Sequence, residues 1–455
     1  MPGLTSTLLM ATRSLLANQG ALQTVSNNIA NANTPGYTRE RPVLTEGDPT
    51  IEGNITYGSG VNLDKIESVR DQLLELRISE ENQLQGNAQA QVTALQQIQS
   101  IFVDSSQGVG ADLTAFFNSL SQLSTNPSNV PLRQTVLTAA QNLANSFHQT
   151  STNLTTIQSN LNLNVKQTVD QINGLTQQIA KLNAQVAGMQ KLGEEPGALL
   201  DQETNLIQQL SQLTDVNVIQ TEAGYTITTS GGTALVVSGQ SFDLQASPDA
   251  TGSYRVSAQG LDITDAIQGG KLGGILDVRD QVIPGFLNQL DTLASQFATA
   301  FNAAQAGGFD LAGNAGQPMF SAAAGAGAAN SFTVLITDPT LIAASSDSAP
   351  GSNGNIAQLT AVGTQALPSG TTPLDSYSNL VFNVGNLTAQ AQAEESASAL
   401  TLNQLNDQRG GVSGVSIDEE SANLLVYQRA FQAAARVVTT VDQLMQTVLT
   451  MGAQS

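Results

Sequence analysis

The chain has 455 residues, of which 40% are hydrophobic and 12% charged, so it is long enough for two to four domains that bury apolar cores. Its formal net charge of −21 argues against nucleic acid as a partner, because phosphate binding needs clustered Lys and Arg. The absence of Cys excludes disulfides and thiolate metal sites. No run approaches the roughly 18 apolar residues of a membrane span, so we expect neither membrane insertion nor a cleaved signal peptide.

The first predicted element is a helix over about residues 4–30. Its apolar residues recur in alternating steps of four and three, which is the heptad spacing of a helix that packs against a partner helix. Leu9 and Leu16 lie seven residues apart and outside this seam, and Arg13 is the only charge before Arg39. We therefore expect a second buried face, formed against neighbouring copies of the molecule. The N-terminal seam residues are Leu4, Leu8, Leu15, Leu22, Val25 and Ile29.

A turn at residues 31–37 ends this helix, because its Asn, Pro and Gly residues favour a chain reversal. Residues 39–64 are mixed loop and strand, and a series of helices follows. The longest of them would measure roughly 80 Å at 1.5 Å per residue, so the molecule is expected to be a rod there. Residues 216–268 are rich in Val, Ile, Thr and Tyr between Gly turns, which predicts a small β domain. Pro284 is expected to kink a later helix, and the Gly-rich residues 409–414 to form a hinge. The helices are predicted over about residues 64–102, 111–123, 136–189, 198–213, 272–304 and 375–406.

The last predicted helix begins near Ser416, which can cap its first turn, and the carboxylates that follow favour the positive end of the helix dipole. These carboxylates are Asp418, Glu419 and Glu420, and helix capping is the preferred interpretation over ligand binding. A second heptad seam follows, so we expect the two ends of the chain to pair. Leu425, Val437 and Leu444 lie off this seam and suggest contacts beyond the pair. The C-terminal seam residues are Leu424, Tyr427, Phe431, Val438, Val441, Met445 and Val448.

These patterns predict an α+β fold that is predominantly α. We expect an elongated rod with paired terminal helices as a coiled coil, a long-helix bundle domain and a small β-rich outer domain. The terminal coiled-coil domain is placed at residues 1–45 and 412–455. The long-helix domain is placed at residues 46–214, 272–305 and 338–411, and the β-rich domain at residues 215–271 and 306–337.

The sequence offers no pattern typical of an active site. His148 is the only His and lies on the longest predicted helix, so a catalytic triad or a zinc site has no second imidazole to draw on. The Gly-rich residues 269–274 and 325–327 lack the order of a phosphate-binding loop, and residues 310–316 lack the alternating ligands of a calcium loop. We therefore expect no enzyme activity, no metal and no cofactor.

The turn at residues 31–37 resembles the N-terminal signature of axial proteins of the bacterial flagellum, namely the rod, hook and hook-associated proteins. Residues 413–437 are similar to the hook-associated protein 1 family, the first hook-filament junction proteins. Shorter stretches at residues 58–61, 199–202 and 272–276 agree, so the resemblance covers most of the chain. The motif residues are Asn31, Asn33, Pro35, Gly36, Tyr37, Asp418, Glu419 and Glu420.

The resemblance implies an extracellular structural protein that is exported unfolded through the flagellar type III pathway after binding a cytoplasmic chaperone. It implies a homo-oligomeric ring on the hook tip, between hook protein and the second hook-filament junction protein, with the paired ends forming an inner tube. Two alternatives stay open. Another axial protein of the hook or distal rod is disfavoured by the long helices. A type III-exported effector with flagellar-like ends would need a catalytic centre, and residues 216–335 contain neither His nor Cys.

Overall fold

The computed structural model describes residues 2–52, 55–102, 108–193, 195–221, 224–349 and 351–453. The chain is 64% helical with small antiparallel sheets, which confirms the predicted α+β, predominantly α class. The helices are α1 (Pro2–Asn31), α2 (Gln72–Phe102), α3 (Val109–Leu123), α4 (Val130–Gln190), α5 (Gly197–Leu213), α6 (Gly270–Asp277), α7 (Ile283–Ala306), α8 (Ile356–Ala361), α9 (Pro373–Ser413) and α10 (Ile417–Ala453).

The strands are short and antiparallel, as expected for segments that each cover a small apolar surface. They are β1 (Glu40–Glu46), β2 (Thr50–Glu52), β3 (Ile55–Tyr57), β4 (Val61–Ser68), β5 (Asn217–Thr221), β6 (Gly224–Thr228), β7 (Ala234–Val237), β8 (Gln240–Ser241), β9 (Leu244–Pro248), β10 (Tyr254–Ala258), β11 (Leu261–Asp262), β12 (Phe320–Ser321) and β13 (Thr333–Val334). Among the described residues, the largest sheet has the order β5-β6-β7-β8, and a second has the order β11-β10-β9. The strands predicted within residues 216–268 are therefore present, in two sheets.

The chain divides into two compact units. The first comprises residues 1–83, 172–244 and 398–455, and the second comprises residues 84–171 and 245–397. Within the first unit, helices α2 and α9 meet through a small apolar cluster of Leu74, Ile78, Leu402 and Leu405. The proposed division into three domains with the boundaries given above stays a prediction.

The predicted helix over residues 64–102 begins later than expected. Residues 64–68 belong to β4, which pairs with β1 in a register that matches Glu40 with Ser68, and α2 begins at Gln72. The Asp71 carboxylate accepts hydrogen bonds from the backbone N–H groups of Leu73 and Leu74, and so caps the first turn of α2. Ile66, Val69 and Leu73 are spaced by three and four residues, so the helical pattern of the sequence continues into β4.

The predicted hinge at residues 409–414 is wrong, because α9 continues to Ser413. The Arg409 side chain is held by Glu75 Oε1 at 2.5 Å and by the carbonyl oxygen of Gly36 at 3.2 Å. These contacts fix the last turns of the helix despite the two glycines that follow Arg409, and glycine in a helix costs only about 1 kcal/mol relative to Ala.

The helix predicted over residues 272–304 contains an irregular turn directly before Pro284, and the kink expected at Pro284 stays a prediction. Residues 278–282 form a π-helical turn between α6 and α7, and Pro284 lies in the first turn of α7. Proline has no backbone N–H, so Pro284 cannot donate to a carbonyl oxygen of the preceding helical turn. Gln158 Nε2 donates to the carbonyl oxygen of Arg279 at 2.9 Å, which satisfies a backbone group of the irregular turn.

An aromatic cluster forms the centre of the second unit. Phe297 is fully buried, and its ring lies 5.5 to 6.1 Å from those of five other phenylalanines. Edge-to-face and tilted arrangements predominate, as favoured by the quadrupoles of the rings. The five partners are Phe116, Phe117, Phe301, Phe320 and Phe332.

We expect Phe297→Ala to lower the free energy of unfolding of the second unit by about 4 kcal/mol, because the cavity it leaves is lined by rings that cannot collapse into it. Urea unfolding followed by circular dichroism measures this loss. Phe382→Ala is the matched control, because Phe382 is 66% exposed and its truncation should change stability by less than about 0.5 kcal/mol. Equal effects of the two substitutions would show that the cluster is not the core of the unit.

Candidate functional site

The two terminal helices pack against each other in antiparallel directions. Among the described elements, α1 and α10 form the most extensive contact of any pair. Asn28 near the end of α1 donates from Nδ2 to Glu420 Oε2 in the first turn of α10, at 3.1 Å. Because the end of one helix meets the start of the other, the ends of the chain pair as the two heptad seams predict.

The predicted seam residues of α1 are all buried or half-buried, with Val25 only 1% exposed. In α10, Val441 is buried and Val448 is 37% exposed. The remaining α10 seam residues are half-buried, and they are Leu424, Tyr427, Phe431, Val438 and Met445. Val25 is the one predicted α1 seam residue that is fully buried, and residues off the seam are buried as well, namely Ala17, Ala21, Thr24 and Asn28. The seam residues therefore stay a prediction as an assembly site, and burial fades towards the end of α10.

Both terminal helices also expose apolar side chains outside the seams. Leu9 and Leu16 of α1 are 56% and 61% exposed, and their spacing of seven residues places them on one face. The exposed apolar residues of α10 outside its seam are Ile417, Leu425, Val426, Val437, Leu444, Leu449 and Met451. Large apolar side chains aligned in water mark a surface that binds another protein more often than a free surface.

A buried side-chain amide organises the junction between α1 and the strand that follows. Asn28 is 0% exposed, and its Oδ1 accepts hydrogen bonds from the Tyr37 hydroxyl at 2.8 Å and from the backbone N–H of Glu40 at 3.0 Å. Its Nδ2 donates to the carbonyl oxygen of Glu40 as well as to Glu420. All four hydrogen-bonding positions of this amide are therefore used, so the side chain holds α1, β1 and α10 in one arrangement.

The acidic run at the start of α10 does more than cap the helix. Ser416 does accept from the backbone N–H of Glu419, as the capping interpretation requires. However, the Glu420 carboxylate is buried and accepts from Arg39 Nε at 2.8 Å, while the exposed Glu419 carboxylate pairs with Arg39 Nη1 at 2.9 Å. Asp418 is exposed. The sequence interpretation missed this link because Arg39 and Glu420 lie far apart along the chain.

The motif turn places its residues in different environments. Asn33 and Pro35 are exposed, and Asn31 is half-buried. Gly36 has a φ of 79°, and a Cβ there would lie 2.6 Å from the Asn205 side chain, so only glycine fits. Burial raises the pKa of Tyr37, and the nearby carboxylates Glu40, Asp201 and Glu420 raise it further. The Tyr37 hydroxyl thus stays protonated and donates to Asn28.

A second ionic contact fixes the strand that follows the turn. Asp201 of α5 accepts from the backbone N–H of Thr38 at 3.0 Å and pairs with Arg70 Nη2 at 2.5 Å. Arg70 also donates to Thr204 Oγ1 and to the carbonyl oxygen of Gly197. None of these residues has a predicted role from sequence, although Asp201 lies in one of the stretches similar to the hook-associated protein 1 family.

The buried carboxylate of Glu203, also in α5, lacks a hydrogen-bond partner among the described residues. Glu203 is 0% exposed, and neither of its carboxylate oxygens has a hydrogen-bond partner among the described residues. Burial raises the pKa of Glu203 to about 7, against the opposing effect of the Arg70 charge. The folded first unit is therefore more stable with Glu203 protonated than with Glu203 ionised.

Within the part of the chain that the structure describes, no group of three or more His, Asp or Glu side chains is placed to hold a metal ion. None of the described helices is both long and apolar enough to cross a membrane. His148 of α4 lies with its Nδ1 at 3.0 Å from the carbonyl oxygen of Asn330 and on the exposed side of the helix.

Comparison with known proteins gives consistent results along the chain. Residues 95–320 match the family model described as the flagellar hook-associated protein FlgK helical domain. Residues 411–451 match that of the flagellar basal body rod FlgEFG protein C-terminal region, and residues 8–38 match that of the flagella basal body rod protein. A Bacillus subtilis protein named flagellar hook-associated protein 1 is 30% identical, over 96% of this chain and 96% of that protein. The chain belongs to the flagellar hook-associated protein 1 family.

Other members of the flagellar hook-associated protein 1 family agree with this assignment. The Escherichia coli protein of that name is 27% identical, over 94% of this chain and 96% of the relative. A structure of the flagellar hook junction protein FlgK from Burkholderia pseudomallei has the same fold, with a TM-score of 0.67 at 18% identity, and covers 74% of this chain and 100% of that one. The chain is thus a structural component of the bacterial flagellum and not an enzyme.

We expect Glu420→Ala to lower the free energy of unfolding of the first unit by about 3 kcal/mol, because it leaves Asn28 and Arg39 without their buried acceptor. Urea unfolding gives the total loss, and hydrogen exchange should show it at the end of α1 and the start of α10. Glu419→Ala is the matched control, because its exposed pair with the same Arg39 should contribute less than about 1 kcal/mol. A larger effect at Glu419 than at Glu420 would contradict the stabilising role of the buried contacts of Glu420 with Asn28 and Arg39.

The raised pKa of Glu203 predicts a pH dependence of stability with a definite sign. The folded chain holds this proton up to about pH 7, whereas the unfolded chain releases it near the ordinary value of 4.5. The contribution of Glu203 to folding therefore worsens from about pH 4.5 to about pH 7, by about 3 kcal/mol in all. Glu203→Gln should raise the urea midpoint at pH 8.5 and leave it nearly unchanged at pH 4. The exposed Glu80→Gln is the control and should change neither value.

Proposed function

We propose that this protein forms the hook-filament junction ring that adjoins the hook, and that it assembles through its terminal helices. The exposed apolar faces of α1 and α10 carry this proposal, because they lie outside the seam that joins the two helices to each other. Such faces gain free energy only when another helix covers them, at about 25 cal/mol per Å² of buried apolar area. A second copy supplies matching faces without any further component.

The seams and the off-seam faces have separate roles in this proposal. The seam residues hold α1 and α10 together within one subunit, and the motif residues fix how the pair leaves the rest of the first unit. Leu9 and Leu16 then contact the neighbouring subunit in the inner tube. The low charge of α1, with Arg13 alone before Arg39, is consistent with a helix enclosed by neighbours.

The partners follow from the position of the ring. We propose that hook protein contacts one side of it and the second hook-filament junction protein the other. Before export through the flagellar type III pathway, a cytoplasmic chaperone would bind the chain, and no signal peptide would be cleaved. The names of the relatives support a place at the hook junction. The long α2 and α4 disfavour a hook or distal-rod protein, and family membership disfavours an exported effector.

We expect the double substitution Leu9→Ser and Leu16→Ser to abolish assembly while the monomer stays folded. Both side chains are more than half exposed, so their truncation removes little buried area within the subunit. A strain that produces this variant should export the protein but build hooks without attached filaments, and the purified variant should not associate in sedimentation experiments at concentrations where the parent does.

Leu163→Ser is the matched control, because Leu163 is 54% exposed on α4, outside the terminal helices. Filaments should be normal with this variant. Normal filaments with the double variant would refute assembly through the off-seam face of α1. Loss of the protein from the culture medium would instead indicate a defect in export.

A further inference from the structure

The first unit contains a cleft of about 750 Å³ that lies outside the terminal helices. Its walls come from the end of β4, the first turns of α2, one face of α5 and strand β5. Leu200 and Ile207 of α5 form an apolar floor, and both are buried. The volume lies within the range of sites that bind ligands in proteins.

The cleft follows the edge of β5. Val218, Ile219 and Gln220 are consecutive strand residues, and all three line it. Successive side chains of a strand point to opposite faces of the sheet, so a cleft that touches three in a row must run along the strand edge. Edge positions present backbone N–H and C=O groups, and these are the groups that pair with an added strand.

At residues 217–220 this edge carries no further strand among the described residues. In the sheet order β5-β6-β7-β8, strand β5 is terminal, and β6 lies on its other side. Proteins usually guard such edges with charged residues or proline, yet residues 217–221 contain neither, and Ile219 is 56% exposed. A sheet edge left open beside an apolar floor is suited to binding an extended peptide.

The charges of the lining favour a basic ligand. Its one cation, Arg70, is already paired with Asp201. Two of its carboxylates are also paired, Glu67 with Arg41 and Glu75 with Arg409. Glu195 also lines the cleft and forms no ion pair with any residue that the structure describes, although its Oε1 accepts from the backbone N–H of Ser68. A carboxylate without a counter-ion at the rim attracts Lys or Arg.

We propose that this cleft binds an extended basic segment of another polypeptide, which pairs with the edge of β5 as an additional strand. Alternate side chains of the segment lie on Leu200 and Ile207, and a Lys or Arg meets Glu195. This site lies outside the terminal helices, so it is independent of assembly through them.

The test uses the full chain at a concentration where it is monomeric. The probe is a fluorescein-labelled octapeptide that alternates valine and threonine and carries a lysine near each end, and its binding is followed by fluorescence anisotropy. We expect it to bind at least tenfold more tightly than the same peptide with glutamates in place of the lysines. Glu195→Gln should reduce that preference, because the amide keeps the hydrogen bond to Ser68 and loses only the charge.

Ile219→Lys should weaken binding of the lysine peptide at least tenfold, because it places a charge on the open edge without changing a buried residue. Leu261→Lys is the matched control, because Leu261 is 68% exposed on the edge strand β11, and it should leave binding unchanged. Equal affinity for the two peptides, or equal effects of the two lysine substitutions, would overturn the proposal. If Ile219→Lys instead dissolves a self-associated form seen by sedimentation, the occupant is a second copy and the proposal is likewise wrong.

Discussion

The hydrogen bond between Asn28 and Glu420 closes a loop of 392 residues, and the arrangement of the chain ends depends on it. Two apolar heptad seams can slide past each other by whole heptads at little cost, because each step replaces one apolar contact with another. A buried amide that must meet a buried carboxylate fits only one register. Arg39 binds the same carboxylate, so the strand that follows α1 is fixed together with the helix pair.

The periodic parts of this structure could be predicted from sequence, and the long-range polar contacts could not. Burial on one side of a helix follows from the local spacing of apolar residues. The sequence therefore predicts that Val25 and Val441 face a partner helix and that α4 is long, and in the structure both residues are buried and α4 is a long helix. The partner of Glu420 is set by how distant segments fold back. Capping was therefore the best local interpretation of the acidic run, and it accounted for Ser416 but not for the buried acceptor.

The predicted start of α2 and the predicted end of α9 are wrong for the same reason. The start of α2 is decided by the pairing of β4 with β1, and the end of α9 by the contacts of Arg409 with Glu75 and Gly36. In both cases tertiary contacts outweigh local preferences of about 1 kcal/mol or less. The burial of Glu203 could not be predicted from the sequence at all. Its helical position is ordinary, and only the folded structure reveals that it is buried without a hydrogen-bond partner.

The terminal helices carry little net charge, whereas the rest of the chain is strongly acidic. The net charge of −21 resides mainly between the terminal helices, since α1 carries only Arg13 and the acidic groups of α10 are partly offset by Arg429 and Arg436. Like-charge repulsion keeps the body of the molecule soluble, while ends of low charge can approach those of a neighbour without that penalty. The apolar faces of α1 and α10 can therefore remain exposed on a single chain and still be buried between chains. The open edge of β5 lacks charge too, but it lies beside Glu195, so a basic partner is favoured there over a second acidic chain.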